Sequence, residues 1–292
     1  MIPSLEQYRT HYRIPRTITE QEMLSHWNCE RQMRQALLNS SPESRAAVFE
    51  QCYTTLYTRF PWLNEAPPRP ASEFRSWHSI IGAPKQNIFE VGSGKGELID
   101  SLAALGHQCT ATEITSQRGA RSSSTGVRWI SSDGIHLEVG QSSGCYDVVI
   151  SNQVIEHLHP DDLDVHFITA RKILRPKGRY IFATPHTYVG PSDVSALFGC
   201  RNPEGMHLKE HTYMELASRC KKAGFKRLES VLRLPSPLNR LFSARASVLY
   251  MKHQVVMEML IGHAPIAVRR RCASFGKVAL FAPTIFMVAH NA

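Results

Sequence analysis

The sequence has no apolar run long enough to cross a membrane. Its opening residues, Met1-Ile2-Pro3-Ser4-Leu5-Glu6, lack a basic start followed by an apolar stretch, so no secretory signal is expected. There is no Cys-x-x-Cys pair. The seven cysteines are odd in number and scattered at positions 29, 52, 109, 145, 200, 220 and 272. That pattern argues against a disulfide framework and for free, mostly buried thiols in a reducing compartment, with the cytoplasm as the expected location. Internal repeats and low-complexity segments are absent. Acidic residues are the scarcer charge, 25 against 34 Lys and Arg, for a net charge of +9. This excess leaves an acidic partner open. The basic residues are spread along the chain, however, and the one dense run, Arg269-Arg270-Arg271, reads as a solvated helix end. With 292 residues, 42% hydrophobic and 20% charged, the composition is that of a globular chain, long enough for one large domain or for a domain with appendages.

The informative run is Ile88-Phe89-Glu90-Val91-Gly92-Ser93-Gly94-Lys95-Gly96-Glu97. Ile88, Phe89 and Val91 predict a short buried strand, three alternating glycines a tight turn, and Glu97 to Leu105 a helix. Glycines let the backbone approach a ligand where a Cβ would clash, and the new helix N-terminus offers N–H groups to an anionic or polar group. The dinucleotide fingerprint Gly-x-Gly-x-x-Gly would need glycine at 97, where Glu97 stands. A P-loop needs Ser or Thr after its lysine, and Lys95 is followed by Gly96. What remains is acidic-x-Gly-x-Gly-x-Gly. A second strand, Cys109 to Thr112, then delivers Glu113, 17 residues past Gly96. A carboxylate at the carboxyl end of the second parallel strand can accept two ribose hydroxyls. Val127 to Ile130 is a third strand, followed by Ser132-Asp133-Gly134, which is also ordinary turn chemistry. Tyr146 to Ser151 is a fourth, continuous in the manner of a strand buried on both faces and leading into Asn152. A helix from Asp161 to Leu174, a turn at Pro176-Lys177-Gly178 and a fifth strand, Tyr180 to Thr184, follow.

These motifs, in this order, resemble class I S-adenosylmethionine (SAM) dependent methyltransferases, and the pattern YDVVISNQVIEHL … ILRPKGRYIFATP is similar to the ubiquinone-biosynthesis-type branch, over residues 85 to about 233. The resemblance implies an α/β Rossmann-like fold. Its seven-stranded sheet has order 3-2-1-4-5-7-6, helices on both faces, an N-terminal helical extension and an insertion before the last strand. It also implies SAM as cofactor. Glu90 would hold the amino group of the methionine part and Asp133 the adenine amine. Gly92, Ser93, Gly94, Gly96, Glu113, Ile114, Gly134 and Asn152 would complete the cofactor set.

The rest of the chain divides accordingly: a helical cap and linker over 1–75, the SAM-binding core over 76–235, a helical insertion over 236–276 expected to shape the acceptor site, and a final core strand over 277–292. Two amphipathic helices are expected within 17–60. Thr17-x-x-Glu20 is a capping-box pattern for the first, and Ser41-Pro42 starts the second. Phe49, Cys52, Tyr53, Leu56 and Phe60 make one stripe, read as core packing. Thr212 to Ala223 and Val248 to Ile261 read as helices, Phe225 to Leu232 and Ile285 to Ala289 as strands.

Candidate groups for handling the methyl acceptor are Asn152, Glu156, His157, His186, His207 and His211, with His157, His186 and His207 as candidate catalytic histidines. The segment from His207 also resembles the metal-dependent small-RNA 2′-O-methyltransferases. That resemblance implies a metal set of Glu156, His157 and His207 holding Mg²⁺, with Gln153 standing where that family has a carboxylate. His207-x-x-Glu210-His211 also spells an inverted zinc-protease pattern, which a methyltransferase-like chain makes a coincidence. The leading expectation is therefore methyl transfer to a small-molecule acceptor, most simply the hydroxyl of a secondary metabolite or quinone-like compound. The alternatives are an Mg²⁺-assisted RNA 2′-O-methyltransferase and a non-catalytic SAM-binding protein. No contiguous basic and aromatic block suggests nucleic acid, no transmembrane segment is expected, and the oligomeric state is not indicated.

Overall fold

Strand β1 (Asn87–Val91) is buried on both faces. Ile88 belongs to an apolar cluster with Trp77, Leu102, Val148 and Ile150, while Phe89 and Val91 belong to the opposite one with Val149, Phe167 and Phe182. This period-2 division of an unbroken apolar run is what a central parallel strand requires. The computed structural model describes residues 3–292 apart from 15–16, 84, 119–125, 233–243 and 276–281. In it β1 lies between parallel β2 (Gln108–Glu113) and β4 (Tyr146–Asn152), with β3 (Arg128–Ser131) beyond β2 and β5 (Leu174–Pro185) beyond β4. Strand β8 (Thr284–His290) inserts antiparallel between β5 and β6 (Arg227–Leu232), and short β7 (Arg245–Ser247) closes the edge. The order is β3-β2-β1-β4-β5-β8-β6-β7. The expected seven-stranded order is present, with the final strand as β8. The eighth strand comes from the insertion and was not anticipated, because three residues, Arg245-Ala246-Ser247, give no readable alternation.

Helices α4 (Arg75–Ile81), α5 (Glu97–Ala104), α6 (Leu163–Ile173) and α7 (Tyr213–Lys222) complete the layers. The cap is α1 (Leu5–Tyr12), α2 (Glu20–Leu38) and α3 (Arg45–Arg59). The capping box of α2 is Thr19 with Glu22 rather than Thr17 with Glu20, and α3 begins at Arg45 rather than at Pro42. Tyr8, Met23, Trp27, Leu37, Leu56 and Phe60 form the core of the cap, and Val194, Met206 and Leu208 from the loop after β5 pack into it. Cap and core are tied by Arg45 to Asp162 (2.5 Å) and Thr54 to Thr115 (2.7 Å).

The insertion holds α8 (Val248–Ile261) and α9 (Ile266–Phe275). It is anchored by a buried polar contact. The Glu258 carboxylate takes the His186 Nε2 at 2.6 Å and accepts the first backbone N–H groups of α7, from Tyr213 and from Met214 (2.9 Å). An anion at a helix N-terminus satisfies donors that have no partner within the helix. Removing one member of such a buried set leaves the others desolvated and unpaired. Glu258→Ala should therefore lower unfolding free energy by about 3–5 kcal/mol, read as a reduced midpoint in urea.

Candidate active site

After β1 the chain turns through Gly92 (φ +61°), Gly94 (φ +58°) and Gly96 (φ +84°), a left-handed path that side chains resist. The three glycines serve different ends. A Cβ on Gly92 would meet Val154 at 2.8 Å and one on Gly96 would meet Trp129 at 2.9 Å, so both permit packing. A Cβ on Gly94 would find nothing nearer than Arg118 at 3.5 Å; this glycine faces the open cleft, and Gly96 does not line it.

The Gly94 N–H donates to Glu113 Oε1 at 2.7 Å, and Ile114 N–H donates to Glu113 Oε2 at 3.1 Å. Two backbone donors thus fix the Glu113 carboxylate at the end of β2, where it lines the cleft with acceptor lone pairs to spare. Glu90, 2% exposed, sits at the same wall, and its Oε2 has no partner among the described residues. Burial, aided by Glu113 and Asp100, pushes its pKa up to about 8. Asp133 lines the cleft with Gly134, but its carboxylate also accepts Ile135 N–H and His136 N–H, both at 2.8 Å, and pairs with His136 Nδ1 at 2.7 Å. Burial works against ionisation there; these bonds outweigh it and hold the pKa below the usual carboxylate value. The turn role of Asp133 is therefore real whatever else it does. Ser93, Ile114 and Asn152 line the same cavity, whose volume is about 470 Å³, within the range of small-ligand sites.

The candidate acceptor residues divide. His157 and His207 line the cleft with their rings 4.9 Å apart. His157 Nδ1 donates to the Met206 carbonyl at 2.9 Å, which leaves Nε2 with a lone pair. Burial, and then His207, lower its pKa to about 3, so it is neutral at physiological pH. His207 Nδ1 donates to Glu210 Oε1 at 2.9 Å, and its Nε2 lies 4.0 Å from Glu156 Oε1. Burial opposes protonation of His207, but Glu210, Glu156 and Asp193 together overcome it and raise its pKa. Glu156 is fully buried: its Oε2 accepts Thr184 Oγ1 at 2.9 Å, its Oε1 has no hydrogen-bond partner among the described residues, and burial raises its pKa to about 7. One donor atom from each of Glu156, His157 and His207 falls within 4.8 Å of the others. Gln153, beside them, is held at φ +60°, a strained setting for a side chain with a Cβ.

His186 is not part of this group. It is fully buried, does not line the cleft and bonds Glu258, so the expectation of a catalytic His186 is corrected to a structural one. His211 pairs with Glu215 at 3.2 Å and is likewise outside the lining. Nor does any described residue of 244–275 line the cleft, contrary to the expectation that the insertion shapes it; residues 236–243 and 276 of that segment lie outside the described residues. The far wall comes instead from the cap and the loop after β5, through Tyr12, Glu30, Tyr53, Tyr57 and Asp193. Sequence reading missed these. Tyr53 sits in the apolar stripe of α3, and Glu30 sits on α2, where only its unusual burial (5%) marks it. The Tyr12 hydroxyl donates to Glu30 at 2.7 Å, and burial raises the Glu30 pKa to about 7.

Comparison with known proteins identifies the architecture. Residues 53–230 match a family described as a methyltransferase domain. The chain belongs to this family. Similar solved structures include a SAM-dependent methyltransferase from Thermotoga maritima (13% identity, 91% of this chain and 100% of that one, TM-score 0.50). Another is 1,6-didemethyltoxoflavin-N1-methyltransferase from Burkholderia thailandensis with bound 1,6-didemethyltoxoflavin and S-adenosylhomocysteine (20% identity, 87% and 91%, TM-score 0.51). A third is a SAM-dependent methyltransferase from Archaeoglobus fulgidus (13% identity, 82% and 99%, TM-score 0.51). No curated protein sequence matches significantly. The protein is thus a SAM-dependent methyltransferase of class I fold.

The methyltransferase carries Glu30, Glu90 and Glu156 with pKa values of about 7, 8 and 7, all above the ordinary 4.5. The folded state keeps these protons at pH values where the unfolded chain has released them, so their contribution to stability is lost as pH rises toward 7–8. His26 and His157, lowered to about 3, act in the opposite sense, but only below the ordinary imidazole value of 6.5. Thermal stability of the apo protein should therefore fall above pH 6.5, and Glu90→Gln should flatten that fall. A melting temperature that holds or rises over this window would contradict the assignment.

Proposed function

We propose that the enzyme methylates a hydroxyl oxygen of a small molecule held between the sheet and the N-terminal cap. The carrying observation is the pair His157 and His207 at the cleft wall, each with Nδ1 tied down so that Nε2 is left for a ligand, and with Glu156 and Glu210 behind His207. The cofactor pocket would be Glu90, Gly92, Ser93, Gly94, Glu113, Ile114, Asp133, Gly134 and Asn152, all of which line the cleft. Gly96 supports the turn from behind. The unpartnered buried Glu90 oxygen and the open face of Gly94 fit a ligand with an amino group passing close to the backbone. When bound, SAM supplies a methyl group on a sulfonium sulfur, ready for displacement.

In this reading His207 Nε2 takes the hydroxyl proton. A base with a raised pKa is better matched to neutral pH than His157, whose pKa of about 3 makes it a hydrogen-bond acceptor that positions the substrate. Glu210 fixes the His207 tautomer, and the carboxylates around it stabilise the imidazolium that forms. The acceptor wall carries phenols and carboxylates, Tyr12, Tyr53, Glu30 and Asp193, which favour a small polar-aromatic acceptor over the phosphates of RNA.

A second reading rests on the same cluster: Glu156, His157 and His207 could hold a divalent cation. Two imidazoles and one carboxylate suit Zn²⁺ or a similar borderline ion. They do not suit Mg²⁺, which asks for oxygen ligands, and Gln153 adds no charge.

The experiment is transfer from labelled SAM to panels of phenols, alcohols and amines, with Zn²⁺ or Mg²⁺ titrated separately. The expected results are O-methyl products, a rate that rises with pH as His207 deprotonates, and a loss of about 10²- to 10⁴-fold in His207→Ala. Methylation confined to amines would overturn the hydroxyl assignment. Zn²⁺ binding that disappears in His207→Ala would move the metal-assisted version to first place.

A further inference from the structure

Helix α8 turns an apolar stripe toward solvent while burying two polar side chains. Two of its polar residues face inward: Gln254 is fully buried and accepts the Ala282 N–H at 3.0 Å, and Glu258 is 2% exposed. Met251 and Val255 also pack inward, while four other apolar residues face solvent, with Leu249 78%, Val256 51%, Met259 60% and Leu260 70% exposed. These lie at steps of three, four and seven, which places them on one stripe. Helix α9 continues the bias with exposed Ile266 and Val268. Isolated exposed apolar side chains need no explanation, but a contiguous set on one helix does.

Charge says what covers it. From Ser230 to Ala292 the sequence has eight Lys or Arg and a single acidic residue, Glu258, so this segment holds most of the net charge of +9. Because Glu258 is buried, the exposed surface of α8 and α9 carries no acidic group among the described residues, while Lys252 and Arg271 are exposed. A second copy of the chain packed on this stripe about a two-fold axis would set like charge against like charge. A nucleic acid would find cations but, on the stripe itself, Leu, Val and Met in place of stacking rings. Apolar side chains along a helix whose own exposed charges, and those of the helix that follows, are cationic among the described residues complement a bilayer interface rich in anionic lipid. At 14 residues, α8 can lie in that interface but is too short to span it.

We propose that the stripe Leu249–Val256–Met259–Leu260 is a reversible docking surface for anionic membranes. The anchor formed by Glu258, His186 and the start of α7 holds the helix so that its apolar side stays outward.

The test is co-sedimentation of the full-length protein with vesicles of phosphatidylcholine alone and of phosphatidylcholine mixed with phosphatidylglycerol, at low and high salt. The expected result is binding to the anionic vesicles, weakened by salt. The variant Leu249→Ser/Leu260→Ser should bind about tenfold or more weakly while keeping its helical circular dichroism and its affinity for S-adenosylhomocysteine. Lys252→Glu, which leaves the apolar stripe intact, should weaken binding to the anionic vesicles alone. Four results would overturn the proposal: equal binding to both vesicle types, no binding to either, loss of a concentration-dependent dimer in the serine variant, or salt-sensitive binding to RNA in place of vesicles. The second would leave the stripe without a lipid role, the third would make it a self-association face, and the fourth would make it a nucleic-acid surface.

Discussion

Glu30 and Glu90 line the cleft almost out of water, Glu156 is buried behind its His207 wall, and the rest of the architecture has to accommodate these three carboxyl groups. Leaving a charge unpaired in such a place costs several kcal/mol, so each stays protonated near neutrality or waits for a cationic or proton-donating partner. Their supports differ. Glu90 closes β1 beneath the glycine turn, Glu156 is held by Thr184 of β5, and Glu30 reaches in from α2 with Tyr12 as its donor. Sheet, loop and cap therefore meet at a point that packing alone would not have chosen. Ionisable groups buried in this way cluster at functional sites.

The division of labour around the cleft follows from topology. The carboxyl ends of β1, β2 and β4 face the crevice where the strand order reverses, which is where open α/β sheets bind ligands. Glu90, Glu113 and Asn152 are there because each is the last or next-to-last residue of its strand. The opposite wall of the cleft comes from elements added to that scaffold, the cap and the loop over residues 192–207. Cleft residues common to the fold thus sit on rigid strands, and the groups that the proposed function assigns to the acceptor sit on appendages.

Legibility in the sequence followed the same line. The central strands were readable because burial on both faces demands unbroken β-branched and aromatic runs, as in Val148-Val149-Ile150. The glycine turn and Glu113 were readable because their spacing is set by one βα unit. His186 was misread: two residues past a strand end it could have faced either the cleft or the insertion, and only the position of Glu258, 72 residues later, decides between them. The α2 cap slipped by two residues because Thr17-x-x-Glu20 and Thr19-x-x-Glu22 are equally good locally, and the buried Ile18 and Met23 select the second. Glu30 and Tyr53 were invisible because their role depends on which side of a helix meets another element in space.

The central claim is that the cleft over Gly94 binds the cofactor, and calorimetry with S-adenosylhomocysteine on the wild type and on Gly94→Val tests it most directly. Gly94 is the glycine of the turn whose Cβ would project into the cavity without striking the packed core, so the substitution fills the site; its left-handed φ of +58° strains a β-branched residue, so folding of the variant is checked first by circular dichroism. Binding by the wild type and its loss in a folded Gly94→Val protein is the predicted result. Retained affinity in the variant, or no binding by the wild type, would contradict the account.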